Sequence, residues 1–136
     1  MESPSASNQT IVRTKWLAAC GIVGALAVIL GALGAHGSVA EHLQARGDYY
    51  GDIWRTAALY HLVHSAVLLA WTLRPGVLRS NIASWFLITG ITAFSGSLYG
   101  LACFDAKFLG PVTPLGGLLL ITGWITIFVT ACRQRS

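Results

Sequence analysis

Four long runs of apolar residues, separated by short polar stretches, dominate the hydrophobic pattern of this chain. The runs cover residues 16–35, 53–73, 82–103 and 115–131. Each contains roughly the 20 residues that a helix needs to cross the hydrocarbon core of a bilayer. The pattern therefore predicts an all-α membrane protein, an antiparallel four-transmembrane-helix bundle.

The composition agrees with this class. Of the 136 residues 54% are hydrophobic and only 10% are charged, and the mean hydropathy is +0.64. A soluble domain carries about 25% charged residues, which is far more than this chain offers to water. We expect residues 1–12, which are rich in Ser and Asn, to form a disordered polar tail, and residues 13–136 to form a single membrane domain.

The first run follows Arg13 and Lys15, so a cleaved signal peptide is the alternative interpretation. The run is longer than the roughly 7–15 residues of a signal core. On a helical wheel its small residues share one side, and larger apolar residues share the other. Small residues let helices approach closely in lipid, which favours a retained span whose small side faces the bundle. The small residues are Gly21, Gly24, Gly31, Ala32 and Ala35.

The first loop contains signals for a short helix. Ser38-x-x-Glu41 has the pattern of a capping box, and Gly47 is suited to end a helix. These signals predict a short interfacial helix over residues 39–46. In the last loop, Thr113 followed by Pro114 predicts an N-cap and a first helical position.

The basic residues lie at the span ends and predict the orientation. Most of them fall on the side of the N-terminus, the second loop and the C-terminus: Arg13, Lys15, Arg74, Arg79, Arg133 and Arg135. The positive-inside rule then places both termini in the cytoplasm. The net charge of +4 is spread along the chain, so it does not indicate nucleic-acid binding. The expected partners are the lipid bilayer and, as a further possibility, a membrane protein or a second copy.

Small residues on the remaining spans predict where helices meet. Gly96-Ser-Leu-Tyr-Gly100 is a GxxxG motif on a face that also carries threonines. The predicted helix-packing glycines are Gly24, Gly31, Gly96, Gly100, Gly116 and Gly123.

Polar side chains in the second span define a candidate site. His61 and His64 lie about 12 Å and 16 Å from its outer end, near the middle of a core of about 30 Å. They share a helix side with Tyr60, opposite Leu59, Leu62 and Leu69. Residues at matching depth on other spans complete the predicted intramembrane polar site, which consists of His61, His64, Tyr60, Thr92, Ser95 and Thr126.

Three further residues are predicted at the outer rim of the bundle. They are His36, Tyr99 and Arg55. We expect Arg55 either to extend toward the headgroups or to pair with Asp52. Tyr99 is expected to contact His36 or Tyr60 and so to close the outer mouth of the bundle.

Three interpretations of the histidines compete. They are structural groups hydrogen-bonded to hydroxyls or carbonyls, a site for binding or proton relay, or ligands of a haem or metal. The spacing of i and i+3 on one helix is poor for an axial haem pair, so we predict no metal and no cofactor. No P-loop, HExxH or GxSxG pattern is present in the sequence. We therefore expect no catalytic residue and no enzyme activity.

Several motifs, in order along the chain, resemble those of one family of small membrane proteins. They are Gly31-Ala-Leu-Gly-Ala-His-Gly37, Trp54-Arg-Thr-Ala-Ala-Leu-Tyr-His61 with His64, Phe94-Ser-Gly-Ser-Leu-Tyr99, Leu109-Gly110, Thr113-Pro-Leu-Gly-Gly117 and Gly123-Trp124. Over residues 16–132 the chain resembles the domain of unknown function 423 family, proteins similar to transmembrane protein 256. The resemblance implies a multi-pass protein of the bacterial inner membrane or its organellar counterpart, and it implies no catalytic residue.

Two functions remain as expectations from the sequence. The first is an accessory or assembly subunit that acts through helix–helix contacts in the membrane. The alternative is a binder or carrier of a small hydrophobic molecule, or of protons, at the midplane histidines.

Overall fold

Helices account for almost all of the protein. The structure, a computed structural model, describes residues 6–74 and 81–133. It contains α1 (Ala6–Ala35), α2 (Gly37–Arg46), α3 (Asp48–Leu73), α4 (Ile82–Phe104) and α5 (Val112–Arg133). A 3-10 turn, Lys107–Leu109, lies between α4 and α5. Within the described ranges there is no strand, and α1, α3, α4 and α5 are long and apolar enough to cross a membrane, so the all-α class with four spans is confirmed.

The first helix begins earlier than the sequence predicts. It starts at Ala6, so residues 6–12 are helical and the expectation of a disordered tail is corrected there. No glycine or proline interrupts residues 6–16, and each added residue brings one more backbone hydrogen bond. Residues 1–5 of the predicted tail lie outside the described residues, as do Arg79 and Arg135, which were used to predict orientation.

The helix ends differ from two of the predicted caps. Helix α2 begins after His36 without a side-chain cap, so Ser38 and Glu41 lie inside the helix and the capping-box prediction is wrong. Thr113 is the second residue of α5 and not its N-cap. Its hydroxyl instead lies 2.8 Å from Ser97 Oγ on α4, which ties the helix to its neighbour.

Gly47 is the single residue between α2 and α3. Its φ of 107° lies in the region that favours glycine, and it ends α2 as predicted. Because no further residue separates the two helices, α3 begins at Asp48, five residues before the predicted start of the span at residue 53.

The two central helices are α3 and α4. In the most apolar 18-residue stretch of each span, the buried share is 39% for α3 and 33% for α4, against 11% for α1 and 17% for α5. Helix α1 packs on α3, and α5 packs on α4. Cys20, Leu68 and Leu87 form one core cluster that joins α1, α3 and α4.

Glycines bring α4 and α5 into close contact. A Cβ at Gly116 would lie 2.7 Å from Phe94 Cα and would also collide with the Phe94 amide. A Cβ at Gly123 would lie 3.1 Å from Leu87 Cδ2, and one at Gly90 would lie 2.7 Å from Leu120 Cδ2. This close approach is what small residues permit in lipid.

Other predicted packing glycines differ in their surroundings. A Cβ at Gly31 would contact Ala58 at 4.0 Å, and one at Gly100 would lie 2.6 Å from Leu109 Cδ1. Nothing in the structure lies within 4 Å of such a Cβ at Gly24 or Gly96, so neither glycine packs against another helix of the described chain. For Gly24 the reason is that the buried face of α1, marked by Cys20 and Ala27, is rotated away from the small-residue side.

Candidate functional site

Helix α3 has one buried face and one exposed face, as its sequence predicts. Leu59, Leu62 and Leu69 are exposed on one side. His61 and His64 lie on the other side, each only 7% exposed. Both imidazoles therefore point into the protein and not toward acyl chains. Buried polar groups inside a membrane span need hydrogen-bond partners, so the partners of each ring nitrogen are described next.

Both nitrogens of His64 are hydrogen-bonded. Nδ1 lies 2.8 Å from the Tyr60 carbonyl oxygen, which can only accept, so Nδ1 carries the proton. Nε2 lies 3.3 Å from Trp124 Nε1, an indole N–H that can only donate, so Nε2 is the acceptor. These partners define the neutral Nδ1–H tautomer. His64 thereby joins α3 to α5 and has no nitrogen left for a ligand or metal.

Trp124 was absent from the predicted site, although it belongs to the Gly123-Trp124 motif. The signal that identifies it is Gly123, whose contact with Leu87 lets α5 approach the central helices. With α5 this close, the adjacent indole reaches His64, and the two rings meet edge to face with centroids 6.3 Å apart.

His61 has a different environment. Its Nδ1 is buried and has no hydrogen-bond partner among the described residues. The same holds for Ser95 Oγ and Tyr99 Oη on α4. The rings of His61 and Tyr99 lie 6.1 Å apart, and the imidazole also faces the backbone of Val23 on α1. His61 on α3 and Ser95 and Tyr99 on α4 therefore each carry a buried polar atom without a partner among the described residues.

The direction of helical side chains explains why these groups converge. Trp54 packs on Tyr99 and Tyr60 packs on Phe94. Residues with increasing numbers on α3 therefore meet residues with decreasing numbers on α4. Side chains on a helix tilt toward its N-terminus. His61 and Tyr99 therefore lean toward one another, which agrees with the 6.1 Å between their ring centroids.

The side chains of Tyr60, Thr92 and Thr126 form no hydrogen bond with the histidines in the described part of the chain; Tyr60 contributes only its backbone carbonyl to His64. Thr92 is exposed, and its hydroxyl donates to the Ile88 carbonyl; that of Thr126 donates to Thr122. Threonines in helices commonly bond to the carbonyl one turn earlier, which the sequence pattern did not take into account. Tyr60 is 41% exposed and stacks beside His64. The predicted single polar layer is therefore not present in the described residues, and the two histidines have separate environments.

The predicted outer-rim residues also lie apart. His36 is exposed where α2 begins, and Arg55 pairs with Asp52 at 3.0 Å, as one of the predicted alternatives expected. Tyr99 packs on Trp54 with ring centroids 4.6 Å apart and is half-buried. The expected contact of Tyr99 with His36 or Tyr60 is therefore corrected, because Trp54 occupies the space beside it.

Trp54 itself anchors α3 to α1. Its indole N–H donates to the Leu30 carbonyl at 2.9 Å. The ring lies directly against Gly34, where any Cβ would collide with it. This explains why a glycine stands at that turn of α1.

A polar clamp that the sequence did not predict fastens α2 to the end of α4. His42 Nε2 lies 3.0 Å from the Cys103 carbonyl, and the Arg46 guanidinium donates to the Ala102 carbonyl at 2.7 Å. Both carbonyls belong to the last turn of α4, where backbone acceptors lack helical partners. Arg46 also lies 3.4 Å from Asp105 Oδ1. The clamp therefore supplies hydrogen-bond donors to the last carbonyls of α4 and places a positive charge at the negative end of the helix dipole.

Asp105 is the hub of the clamp. Its backbone has a φ of 53° at the helix end, and its carboxylate accepts a hydrogen bond from the Tyr50 hydroxyl at 3.0 Å. The Tyr50 hydrogen bond, with Lys107 and Arg46 nearby, lowers the pKa of Asp105 below its ordinary value of 3.8. The carboxylate is therefore charged throughout the neutral range. The i, i+4 spacing of His42 and Arg46 places both on one face of α2, but that spacing does not show which carbonyls of α4 they meet.

These observations limit the chemistry that the described residues support. No group of three His, Cys, Asp or Glu side chains within them is arranged to hold a metal ion. The site consists of one fully bonded histidine, one histidine with unpartnered neighbours, and a polar clamp outside the spans.

Four long apolar helices that bury two imidazoles define a class, the multi-pass α-helical membrane protein. The comparison with family models identifies the particular family. Residues 30–117 match the model described as "Protein of unknown function (DUF423)". The chain belongs to this family.

Curated relatives support the same assignment. The chain is 41% identical to a UPF0382 membrane protein of Staphylococcus epidermidis over 118 residues, covering 82% of this chain and 93% of the relative. It is 39% identical to UPF0382 membrane protein C1782.12c of Schizosaccharomyces pombe (79% and 93% covered) and to UPF0382 membrane protein YwdK of Bacillus subtilis (79% and 88% covered). No solved structure matches the chain.

Proposed function

We propose that this protein is an accessory or assembly subunit that acts by binding another membrane helix. The partner is a different membrane protein or a second copy of the chain. The proposal assigns the protein no catalytic step. Two glycines of α1 support the proposal, because they lie outside the face with which α1 packs on the rest of the chain.

The observation that carries the proposal is that Gly21 and Gly24, on the small-residue side of α1, are uncovered. A Cβ at Gly21 or Gly24 would meet no atom within 4 Å, whereas Cys20 and Ala27 are buried against the rest of the chain. Glycine in the middle of a helix costs about 1 kcal/mol relative to alanine. In lipid, small residues stabilise contacts between helices because the backbones approach closely. A second helix packed on this side gives the two glycines a use that the isolated chain lacks.

The proposed setting is the cell (inner) membrane, with an antiparallel order of spans and both termini in the cytoplasm. Contacts such as Cys20 with Thr72 and Leu30 with Trp54 support opposite directions for α1 and α3. In this arrangement α2 lies at the outer interface, with Tyr49 exposed toward the headgroups. A membrane-impermeant maleimide tests the orientation: Glu41→Cys should react in intact cells, and Cys132 only after permeabilisation.

The test of the assembly role is cross-linking in the native membrane, followed by purification in mild detergent. We expect the wild-type chain to cross-link to a partner helix or to itself. Gly21→Leu combined with Gly24→Leu should abolish this product, because bulky side chains keep a helix away. Ala66→Leu, on the exposed face of α3, is the matched control and should leave the product unchanged. Recovery of a monomer alone, without any cross-linked product, would count against the proposal.

A second function is favoured by one specific observation. The unpartnered atoms of His61, Ser95 and Tyr99 support binding of a small molecule, or transfer of protons, inside the bundle. His61→Leu tests this role, since it removes the imidazole from this group. If the variant folds normally and cells that carry it behave as wild type, the second function loses its support.

A further inference from the structure

A groove about 310 Å³ in volume lies between α1 and α4, at the end of the spans where α4 begins. It is lined by Lys15, Trp16, Ala19, Asn81, Trp85 and Ile88. Most of this lining is apolar, and the two tryptophans meet edge to face with ring centroids 5.3 Å apart. The groove lies where α1 and α4 meet through these two tryptophans, since both rings line it.

Two polar groups stand in the groove. No hydrogen bond or ion pair joins the Lys15 ammonium to the described part of the chain, whereas its neighbour Arg13 donates to the Leu73 carbonyl at 3.2 Å. The Asn81 side chain, at the start of α4, does not cap the helix. As far as the described residues are concerned, a cation and an amide are therefore both available to a ligand. Trp85 is 60% exposed, which is typical of a tryptophan at the membrane interface.

We propose that this groove binds one anionic phospholipid. A segment of its acyl chain lies along Ala19 and Ile88, and its phosphate oxygens accept hydrogen bonds from Lys15 and Asn81. Basic pockets between transmembrane helices are known to take anionic headgroups, and the lysine matches that charge. The inference does not rest on the proposed assembly role.

The size of the groove favours a lipid over a protein helix. Its volume of about 310 Å³ is small beside that of a packed helix, which is about 10–12 Å across with its side chains. On α1 it spans little more than one turn, from Lys15 to Ala19. A packed helix needs a longer stripe with interaxial distances of about 8–10 Å. A flexible chain with a charged head fits a short groove with a polar mouth.

The experiment is native mass spectrometry of the full chain in mild detergent with equal amounts of phosphatidylglycerol and phosphatidylcholine. We expect one phosphatidylglycerol to be retained in preference. A lysine near the membrane surface contributes about 1 kcal/mol to binding anionic lipid, so Lys15→Gln should reduce the preference about fivefold. Ala19→Phe should fill the groove and remove the bound lipid of either kind.

Lys107→Gln is the matched control, because it removes the same charge from the opposite end of α4. It should leave the preference unchanged. Three results would overturn the proposal: equal retention of the two lipids by the wild type, equal losses for the two lysine variants, or full competition by glycerol phosphate, which lacks the acyl chain. If Ala19→Phe does not fold, the comparison of the two lysine variants still decides the question.

Discussion

The indole nitrogen of Trp124 donates a hydrogen bond to Nε2 of His64 across 3.3 Å, between α5 and α3. Because Nδ1 of the same ring is committed to the Tyr60 carbonyl, His64 is a neutral connector between helices. Protonation of Nε2 would remove the acceptor that Trp124 needs. The hydrogen bonds of His64 therefore account for its presence in the span by a structural role. His61 is the histidine for which a binding or proton-transfer role remains to be tested.

Trp124→Phe should destabilise the protein, because it removes the donor and leaves Nε2 of His64 without a partner. Hydrogen bonds between membrane helices contribute about 0.6 kcal/mol on average and at most about 1.7 kcal/mol, so we expect a loss in this range. Thermal unfolding in detergent measures it. Trp85→Phe is the matched control, since Trp85 makes no hydrogen bond to the described residues. An equal loss in both variants would show that ring size and not the hydrogen bond matters.

Acid should release the clamp between α2 and α4. The pKa of Asp105 is lowered in the folded protein, chiefly by the Tyr50 hydroxyl, so the folded state favours the charged carboxylate. A lowered pKa means that the stabilisation is fully present above the ordinary value of 3.8 and is lost as the pH falls through the folded value. The melting temperature of the wild type should therefore fall as the pH is lowered below about 4.

Asp105→Asn isolates this contribution. It should lower the melting temperature at pH 7 and flatten the acid limb, because the variant has no carboxylate to titrate at this position. Asp52→Asn is the control: its ion pair with Arg55 is exposed, with 70% and 82% of the two side chains accessible, and exposed pairs contribute little. Identical pH profiles for wild type and Asp105→Asn would contradict the clamp.

The sequence predicted the fold well because its signals are local. Runs of about 20 apolar residues define spans, and the wheel of α3 placed His61 and His64 on the buried face correctly. The end of α2 at Gly47 was also predicted, since the need for a left-handed φ is a property of one residue.

The candidate site was predicted less well because it depends on how the helices are rotated and offset. Depth counting grouped Thr92 with the histidines, yet Thr92 lies on the exposed side of α4. Likewise, a GxxxG pattern marked Gly96 for packing, whereas the glycine of α4 that contacts α5 is Gly90, which was not predicted. Gly116 and Gly123 on α5 were predicted and do contact α4. Hydrogen bonds between distant residues, such as those of His42 and Arg46, leave no local pattern in the sequence.

Two glycines offer a direct comparison of packed and open positions. Gly116→Ala should destabilise by about 1–3 kcal/mol, because the new methyl group collides with the Phe94 backbone, which cannot move aside within a helix. Gly96→Ala should be neutral or stabilising by up to about 1 kcal/mol, since nothing lies within 4 Å and alanine favours helix. Thermal unfolding of both variants in the same detergent measures the difference. A loss at Gly96 equal to that at Gly116 would indicate a neighbour at Gly96, such as a partner helix in an oligomer.

The two histidines should respond differently to removal. His64→Leu leaves the Trp124 N–H without an acceptor and should lower stability by about 0.6–1.7 kcal/mol. His61→Leu removes a ring whose Nδ1 has no partner among the described residues and whose remaining polar contact is with the Val23 backbone, so the loss of stability should be smaller than at His64. Unfolding of both variants in one detergent gives the comparison, with Leu62→Ile on the exposed face as a reference. Equal losses would mean that His61 is as firmly bonded as His64. A gain at His61 would instead mean that the chain keeps an imidazole in the membrane at a cost in stability, which is typical of groups retained for function.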